Sequence, residues 1–535
     1  MIIALSQLNS TVGDLDGNAD LIRNIIREAK NKADILVFPE MVLTGYPAKD
    51  LIFDSDFIKS AHETLLEISK SIFNIVVLLG TVRQEGNETY NTVAILQSGK
   101  ILGFRDKTLL PSYDVFDEKR YFSSSQIIEP IEISINNTNF KLGVQICEDL
   151  WDEDYNIKVT KILDEKESDI IFNLSSSPFY IHRVNDRINA VTKKVKKINK
   201  PYVYCNSIGY QEELVFDGQS FVVNKDGDII AYGNAFKDDF LMVDIYSKKK
   251  CEFKILDKFE ELYNALSLGI KDYLRKTHHS KVIIGLSGGI DSALTAAIAA
   301  NAIEAQNIIG ISMPSQYSSN HSIRDAELLA YNLGINFEVI RINEINDTFL
   351  NYLDSFLEQS QGGLAEENLQ ARIRGNLLMT IANKKNALLL NTGNKTETAL
   401  GYCTLYGDMC GALAVISDLN KSEVYGLAEW INKKYQKLII PESSLKKPPS
   451  AELSHNQVDP FNYDIISPLV EDIIINGYNI DKLIEKGYDY KTCKEIINRI
   501  RLFEYKRHQG APGIRVSKKA FGTGRRYPII NQYKI

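Results

Sequence analysis

The sequence predicts an α/β protein with two separate cores. Short apolar runs alternate with segments of helical periodicity through both halves of the chain, the pattern of sheets covered by helices. At 535 residues the chain exceeds what one hydrophobic core organises. Near its middle, at 282–293, an apolar strand runs into a loop of small residues and then directly into a helix: Val-Ile-Ile-Gly-Leu-Ser-Gly-Gly-Ile-Asp-Ser-Ala.

In the first half, residues 2–5 form a strand candidate, and Leu21, Ile22, Ile25, Ile26 and Ala29 then repeat at helical spacing. A strand at 35–38 ends in Pro39-Glu40; Phe57, Ala61, Leu65, Ile68 and Ile72 outline a second helix, and 75–82 reads as a buried strand. Residues 92–96 and 101–105 flank Gln97-Ser98-Gly99-Lys100 as a hairpin. Strands at 141–146, 169–174 and 202–206 each end where polar or reactive residues appear. A second hairpin, 221–224 with 229–232, turns at Lys225-Asp226-Gly227-Asp228. The first domain is therefore expected to span 1–245, and a charged stretch, 246–262, reads as a linker. From 263 to 535 a second α/β domain is expected: a helix, the strand and loop at 282–293, a helix, a strand at 308–313, and later a strand at 387–391 ending in Thr392-Gly393-Asn394.

Composition narrows the function classes. With 44% hydrophobic and 24% charged residues the chain is an ordinary soluble globular protein, and a net charge of −7 argues against a general nucleic-acid or membrane-surface binder. The stretch 501–526 departs from this, with eight Lys/Arg against the single acid Glu504. Aromatic residues interleave these charges, so an ordered segment facing a phosphorylated ligand is expected. Six scattered cysteines without a CxxC pair fit a reducing cytosol rather than a disulfide framework or zinc site. No secretory leader or membrane span is expected, and a cytoplasmic location follows.

The loop at 285–292 carries its own chemistry. Ser287, Gly288 and Gly289 present little side-chain bulk, so an anion can approach the backbone N–H groups, and the helix that follows aims its positive end at the same point. No Gly-Lys-Ser/Thr follows, which excludes the Walker pattern. Asp291 stands inside this anion site, where a carboxylate is unfavourable unless a cation bridges it to the ligand; Mg²⁺ with a nucleotide is the economical explanation. The plain alternative is a glycine turn before a core helix, but Ser-Gly-Gly-Ile-Asp-Ser after a strand is more specific than that.

Three residues at strand ends in the first half suggest a second chemistry. Cys147, in Gly-Val-Gln-Ile-Cys-Glu-Asp-Leu-Trp, offers a nucleophile that needs a base or cation nearby. Glu40, in Phe-Pro-Glu-Met-Val-Leu-Thr-Gly-Tyr-Pro, could take its proton, and Lys107, in Arg-Asp-Lys-Thr-Leu-Leu-Pro, could stabilise an oxyanion. Singly, they read equally as a core cysteine, a surface charge and a helix-start acid. Together, and with their flanking words in this order, they resemble the nitrilase superfamily of carbon–nitrogen hydrolases over residues 1–245. The resemblance implies a four-layer α-β-β-α sandwich, with Glu40 as general base, Lys107 as oxyanion stabiliser, Cys147 as nucleophile and Glu118 as a positioning carboxylate. For a glutamine substrate it implies Tyr113, Ser177 and Arg183 as contacts, with Glu148 as partner of the α-ammonium.

From about 265 onward the chain is similar to NAD synthetases of the ATP-pyrophosphatase type. The resemblance implies a doubly wound parallel sheet of the adenine nucleotide α-hydrolase-like kind. ATP would lie against Gly285, Leu286, Ser287, Gly288, Gly289, Ile290, Asp291 and Ser292, with Met313 near the adenine and Thr392 touching the nucleotide. The word Asn-Thr-Gly-Asn-Lys-Thr-Glu-Thr-Ala-Leu-Gly-Tyr-Cys-Thr-Leu-Tyr-Gly-Asp at 391–408 is the most specific after the loop. It implies Glu397 as a ligand of Mg²⁺ or of the dinucleotide, alongside Asp291 at the metal. Tyr402, Thr404 and Asp408 would line the deamido-NAD⁺ site, with Asn368, Arg372, Lys421 and Lys506 adding polar and positive groups. Arg372 and Arg374, two apart, point to different helix faces, so only one is expected at a phosphate. One departure stands out: Ala-Glu-Leu-Ser-His-Asn-Gln-Val-Asp-Pro at 451–460 differs from the family's usual Ala-Glu-Leu-Arg-Pro-Asn-Gln, in a region expected to be a mobile lid.

Together the halves resemble the glutamine-dependent NAD synthetases over nearly the whole length. The implied reaction takes ammonia from glutamine and uses it, with ATP and Mg²⁺, to amidate deamido-NAD⁺ through an acyl-adenylate. An enclosed ammonia passage and a homo-oligomer built on dimers of the second domain are part of the same expectation. Two alternatives stand beside it: another glutamine-dependent ATP-pyrophosphatase amidotransferase, and an ammonia-dependent synthetase with a catalytically inactive first domain.

Overall fold

The computed structural model describes residues 1–357, 363–455 and 457–533. The chain divides into two compact units, Met1–Leu256 and Asp257–Ile535. The first unit contains β1 (Ile2–Gln7), α1 (Leu15–Ala29), β2 (Ile35–Val37), α2 (Ser55–Ser69), β3 (Val76–Glu85), β4 (Glu88–Gln97) and β5 (Lys100–Asp106). It continues through β6 (Ile131–Ile135), β7 (Thr138–Ile146), α3 (Val159–Glu165), β8 (Ile170–Ser175), α4 (Arg183–Ile198) and β9 (Tyr202–Asn206). It closes with β10 (Ile208–Gln211), β11 (Leu214–Asp217), β12 (Phe221–Val223), β13 (Ile229–Tyr232) and β14 (Asp239–Asp244).

Two six-stranded sheets, ordered β14-β1-β2-β3-β4-β5 and β13-β12-β9-β8-β7-β6, pack face to face. The alternation of strand side chains explains the layering. Ile3, Leu5, Val76 and Leu78 of one sheet meet Val144, Ile146, Phe172 and Leu174 of the other in one dry cluster. Their odd-register neighbours face outward: Ala4, Val77 and Leu79 cover Ile22, Ile26, Leu65 and Ile68 of α1 and α2. On the far side Ile171, Tyr202 and Phe221 cover Leu163, Val191 and Val195 of α3 and α4. The result is the α-β-β-α sandwich. β6 and β14, which the sequence did not announce, are edge strands of the two sheets, and the β10–β11 hairpin stands outside both.

The second unit begins with α5 (Lys258–Lys276), capped by the Asp257 carboxylate on the N–H groups of Phe259 and Glu260. The last five residues of the expected linker 246–262 are therefore helix, because Asp257 supplies the start signal that the charged flank obscured. There follow β15 (Val282–Gly285), α6 (Ile290–Ala302), β16 (Ile308–Ser312), α7 (Asn320–Leu333), β17 (Asn336–Val339), α8 (Asn343–Leu353) and α9 (Leu364–Lys385). Next come β18 (Leu388–Asn391), α10 (Lys395–Leu400), β19 (Leu413–Ala414), α11 (Lys421–Tyr435) and α12 (Glu442–Lys446). The last helices are α13 (Tyr463–Ile474), α14 (Ile480–Glu485), α15 (Tyr490–Leu502) and α16 (Glu504–Arg507). All neighbours in the sheet β17-β16-β15-β18-β19 are parallel. Strand order reverses direction at β15, so the loops after β15 and β18 flank the crevice where a doubly wound sheet receives its ligand. Among the described residues no helix is long and apolar enough to cross a membrane.

Two candidate active sites

In the first unit, the carboxyl ends of strands deliver the reactive groups. Glu40 follows β2, Lys107 follows β5 and Cys147 follows β7. Lys107 Nζ donates to Glu40 Oε1 at 2.7 Å and to Glu118 Oε1 at 2.9 Å, and all three residues are buried. Burial opposes the charge on Lys107, but Glu118 and Glu40 outweigh it and raise its pKa well above normal, so it is an ammonium throughout the physiological range. Burial also lifts Glu118, against the pull of Lys107, to about 7. Glu40 is fixed by two further donors, Asn91 Nδ2 at 2.7 Å and the Ser176 N–H at 2.8 Å.

Cys147 takes a left-handed backbone conformation, φ 42°, where strand β7 breaks into a turn. Such a conformation is uncommon outside glycine and marks a residue held in place by its surroundings. The thiol is buried; desolvation and the Glu40 charge raise its pKa well above normal, and Lys107 partly offsets them. Asp149, two residues on, anchors the turn. Its Oδ2 accepts from the Ile146 N–H at 3.1 Å, and its Oδ1 from the N–H groups of Thr108 and Leu109 at 3.2 and 2.8 Å. One carboxylate thus ties the turn at Cys147 to the segment that carries Lys107.

The expected glutamine contacts gather beside it. Glu148 accepts from the hydroxyls of Tyr113 at 3.0 Å and Tyr155 at 2.9 Å, and burial raises its pKa. Arg183 starts α4, its guanidinium 4.2 Å from the Trp151 ring centroid and its Nη1 donating to the Tyr180 hydroxyl at 2.8 Å. Its Nε is buried and has no hydrogen-bond partner among the described residues. Ser177 lies in the loop after β8 and is buried against Arg187.

In the second unit, the loop after β15 leads into α6 through Gly289, which holds the N-cap position without a side chain. Gly288 has φ 76°, and a Cβ there would lie 2.2 Å from the Ser322 carbonyl oxygen, so only glycine fits. Ser287 and Ser292 pin the loop: Ser292 Oγ lies 3.2 Å from Ser287 Oγ and donates to the Gly289 carbonyl at 3.1 Å. Leu286 and Ile290, both expected at ATP, turn their side chains into the core. The Leu286 N–H is bonded to the Ile311 carbonyl at 2.8 Å, while Ile290 opens α6, where a backbone N–H has no partner within the helix. Met313 packs in an apolar cluster with Ile283, Ile311 and Leu378, at the end of β16.

Asp291 and Glu397 converge on one cation. Lys421 Nζ donates to Asp291 Oδ2 at 2.6 Å and to Glu397 Oε1 at 3.0 Å, while Asn394 Nδ2 donates to Asp291 Oδ1 at 2.8 Å. Asn394 and Glu397 form a capping box on α10, which fixes Glu397 at the mouth of the loop after β18. Burial lifts Glu397 to about 7, against the pull of Lys421. Lys421, expected as a positive group of the deamido-NAD⁺ site, is thus engaged by two carboxylates. Lys506, expected in the same role, donates to the carbonyls of Gly401 and Cys403 at 2.8 and 2.6 Å. Each of these lysines has internal partners.

The remaining contacts form one network. Asp408 Oδ1 accepts from the Thr404 N–H at 2.7 Å, and the Thr404 hydroxyl donates to Asn368 Oδ1 at 2.6 Å. Tyr402 stacks edge-on against Phe461, and Thr392 begins the loop after β18. Arg372 donates to the Leu405 carbonyl and Arg374 to the Met313 carbonyl, so the two arginines part as expected. The basic C-terminal stretch is ordered by its own contacts. Arg507 and Arg525 both pair with Glu504, and Arg515 donates to the Ser517 and Lys518 carbonyls. In the departing segment 451–460, Glu452 accepts from the hydroxyls of Ser319 at 3.1 Å and Ser322 at 2.6 Å; Asn456 lies outside the described residues.

Comparison with known proteins follows the same division. The carbon–nitrogen hydrolase family model matches residues 2–249, and the NAD synthase family model matches 262–510. The sequence is 41% identical to the glutamine-dependent NAD(+) synthetase of Synechocystis sp., over 99% of this chain and 99% of that protein. The chain belongs to the glutamine-dependent NAD(+) synthetases. The Thermotoga maritima member is 37% identical at the same coverage. The solved glutamine-dependent NAD⁺ synthetase of Acinetobacter baumannii, in complex with adenosine diphosphate, is 36% identical with TM-score 0.80 over 99% of this chain and 98% of its own. A glutamine-dependent NAD(+) synthetase from Cytophaga hutchinsonii, 22% identical, shares the fold at TM-score 0.86 over 99% of this chain and 98% of its own.

Several residues that shape both sites of this NAD(+) synthetase family member escaped sequence reading. Tyr46 donates to Glu118 Oε1 at 2.9 Å, beside the Lys107 contact. Asn91 and Ser176 hold Glu40, and neither lies in a reactive-looking word. The Asp after Cys147-Glu148 was visible as an acid but gave no sign of its three backbone donors. In the second unit Lys395 is wholly buried between Asp418 Oδ1 at 3.0 Å and Glu471 Oε1 at 3.1 Å, and donates to Ser517 Oγ at 3.1 Å. It fixes the C-terminal segment against the start of α10, two residues from Glu397.

Proposed function

We propose that Met1–Leu256 releases ammonia from glutamine on Cys147, and that residues 257–535 use it with ATP to amidate deamido-NAD⁺. The observation that carries this reading is the Lys107 ammonium, bonded to the two buried carboxylates of Glu40 and Glu118 and close enough to Cys147 to influence its thiol. The sulfur attacks the side-chain carbonyl carbon of glutamine while Glu40 takes the thiol proton. Lys107 stabilises the oxyanion, Glu40 returns the proton to the leaving nitrogen, and ammonia departs. Water, deprotonated by Glu40, then releases glutamate from the γ-glutamyl thioester. Tyr113, Glu148, Ser177 and Arg183 hold the amino-acid end of the substrate.

In the second unit the nicotinate carboxylate of deamido-NAD⁺ attacks the α-phosphorus of ATP, and pyrophosphate leaves towards the N–H groups of the 285–292 loop and the start of α6. Ammonia displaces AMP from the acyl-adenylate to give NAD⁺. The ADP-bound relative supports adenine-nucleotide binding by this chain. Thr404, Asp408, Asn368 and Tyr402 supply a polar wall for the dinucleotide. The two carboxylates that converge on the Lys421 ammonium are hard-oxygen donors of the kind Mg²⁺ takes. Asp291 and Glu397 would hold that ion, which would offset the charge of the triphosphate.

Six free cysteines support a cytosolic location. Exposed Phe349, Tyr352, Phe356 and Leu364 around α8 and α9 support assembly into a homo-oligomer through the second unit, which sedimentation velocity would test. Cys147→Ala tests the central reading. Glutamine-driven NAD⁺ synthesis falls to background, while synthesis driven by ammonium salts is retained; persistence of both removes the glutaminase assignment.

A further inference from the structure

Among the described residues the largest fully buried side chain belongs to Arg187, a residue to which the chemistry above gives no task. It sits one turn after Arg183 on α4, on the face turned into the fold. Its Nη1 donates to both oxygens of Asp217, at 2.8 and 2.9 Å, and both partners are wholly inaccessible to solvent. The rest of the guanidinium is spent on one loop. Nη2 donates to the Ser177 carbonyl at 2.8 Å and Nε to Ser177 Oγ at 3.2 Å. The Ser177 N–H is fixed in turn by Asn206 Oδ1 at 3.0 Å.

A buried ion pair of this kind is no cheap source of stability, since apolar residues of equal volume serve a core as well. What it supplies is direction. A guanidinium has five donors and no acceptor, so Ser177 Oγ must accept from Nε. The hydroxyl proton of Ser177 then points away from Arg187, and among the described residues no acceptor receives it. A hydroxyl held with that polarity recognises an acceptor, and of the two charged groups on an amino acid only the carboxylate accepts.

We propose that Arg187, clamped by Asp217, is a positioning residue that polarises Ser177 into a hydrogen-bond donor for the α-carboxylate of the substrate. The inference rests on the glutaminase reading and deepens it: Ser177 selects for the carboxylate, while Glu148 serves the ammonium.

The test compares glutamine with 4-aminobutanamide, which has the same amide and amine but no α-carboxylate, as substrates for ammonia release by the full-length protein. Hydrolysis of glutamine by the unsubstituted protein, lost in Cys147→Ala, establishes the glutaminase reading separately. Ser177→Ala, which uncovers no buried charge, is expected to raise KM for glutamine about 10–100-fold with kcat nearly unchanged and to leave 4-aminobutanamide unaffected. Arg187→Lys keeps a cation on Asp217 but loses the fork. It is expected to reproduce that selective loss, and the Ser177→Ala/Arg187→Lys double variant to add nothing further. Should Arg187→Lys not fold, the paired Arg187→Gln/Asp217→Asn variant removes both charges and is read the same way. Equal losses for both substrates, a fall in kcat alone, or additive effects in the double variant would each overturn the proposal.

Discussion

Lys107 is a cation shared between two carboxylates, and that sharing sets how the first site responds to pH. Glu118 rises from 4.5 to about 7, so between those values the folded chain keeps a proton that the unfolded chain has released. The stability tied to this group is therefore greatest below pH 4.5 and declines as pH rises to about 7. Activity runs the other way, because an ionised Glu118 fixes the position of the Lys107 ammonium. The acid limb of kcat/KM for glutamine hydrolysis is expected near pH 7. In Glu118→Gln that limb should disappear and kcat fall by about 10–100-fold; a limb that stays in place would assign it to another group. Asp149 makes a different prediction. Its removal in Asp149→Ala leaves the N–H groups of Ile146, Thr108 and Leu109 without their acceptor and Arg105 without its nearby charge. A loss of about 3–5 kcal/mol is expected, read from the denaturation midpoint of Trp151 fluorescence in a Trp430→Phe background.

At the scale of elements, the loop after β15 is the most exacting turn in the second unit. Gly288→Ala would force a Cβ onto the Ser322 carbonyl at a positive φ, so a cost of about 1–3 kcal/mol and at least a tenfold loss in kcat/KM for ATP are expected in ammonium-driven synthesis. This loop was legible because its chemistry is local: glycines, a helix start and a carboxylate within a dozen residues. The strands that carry the reactive residues were legible for a similar reason. β2, β8 and β9 throughout, and β3 and β7 over Val76–Val82 and Leu142–Ile146, are buried on both faces and read as largely apolar runs. β6 and β14, at the sheet edges, alternate or half-expose their side chains and carry a weaker signal. Contacts made across long sequence separations were legible only where the family words grouped the residues, as for Glu40 and Lys107. Nothing near Arg187 announces Asp217, and nothing near Asp291 announces Lys421, which follows it by 130 residues. The family words singled out Lys421 and Lys506 but not which acceptors engage them, since partners are a property of the fold.

For the molecule as a whole, placing both half-reactions on one chain answers a chemical difficulty. Near neutral pH free ammonia is mostly protonated and unreactive towards an acyl-adenylate, so release into solvent would waste it. Glutamine-driven synthesis is therefore expected to survive an ammonia-consuming enzyme added in excess, while synthesis from ammonium salts is suppressed. Complete interception of the glutamine-derived nitrogen would show that no direct transfer exists. A final consequence concerns the sulfur before any glutamine arrives. Burial and the neighbouring Glu40 charge keep Cys147 a thiol rather than a thiolate, and peroxides and alkylating agents attack the thiolate form. The enclosure proposed to serve catalysis should therefore also slow oxidation, so Cys147 is expected to react with peroxide more slowly in the folded chain than in the unfolded one.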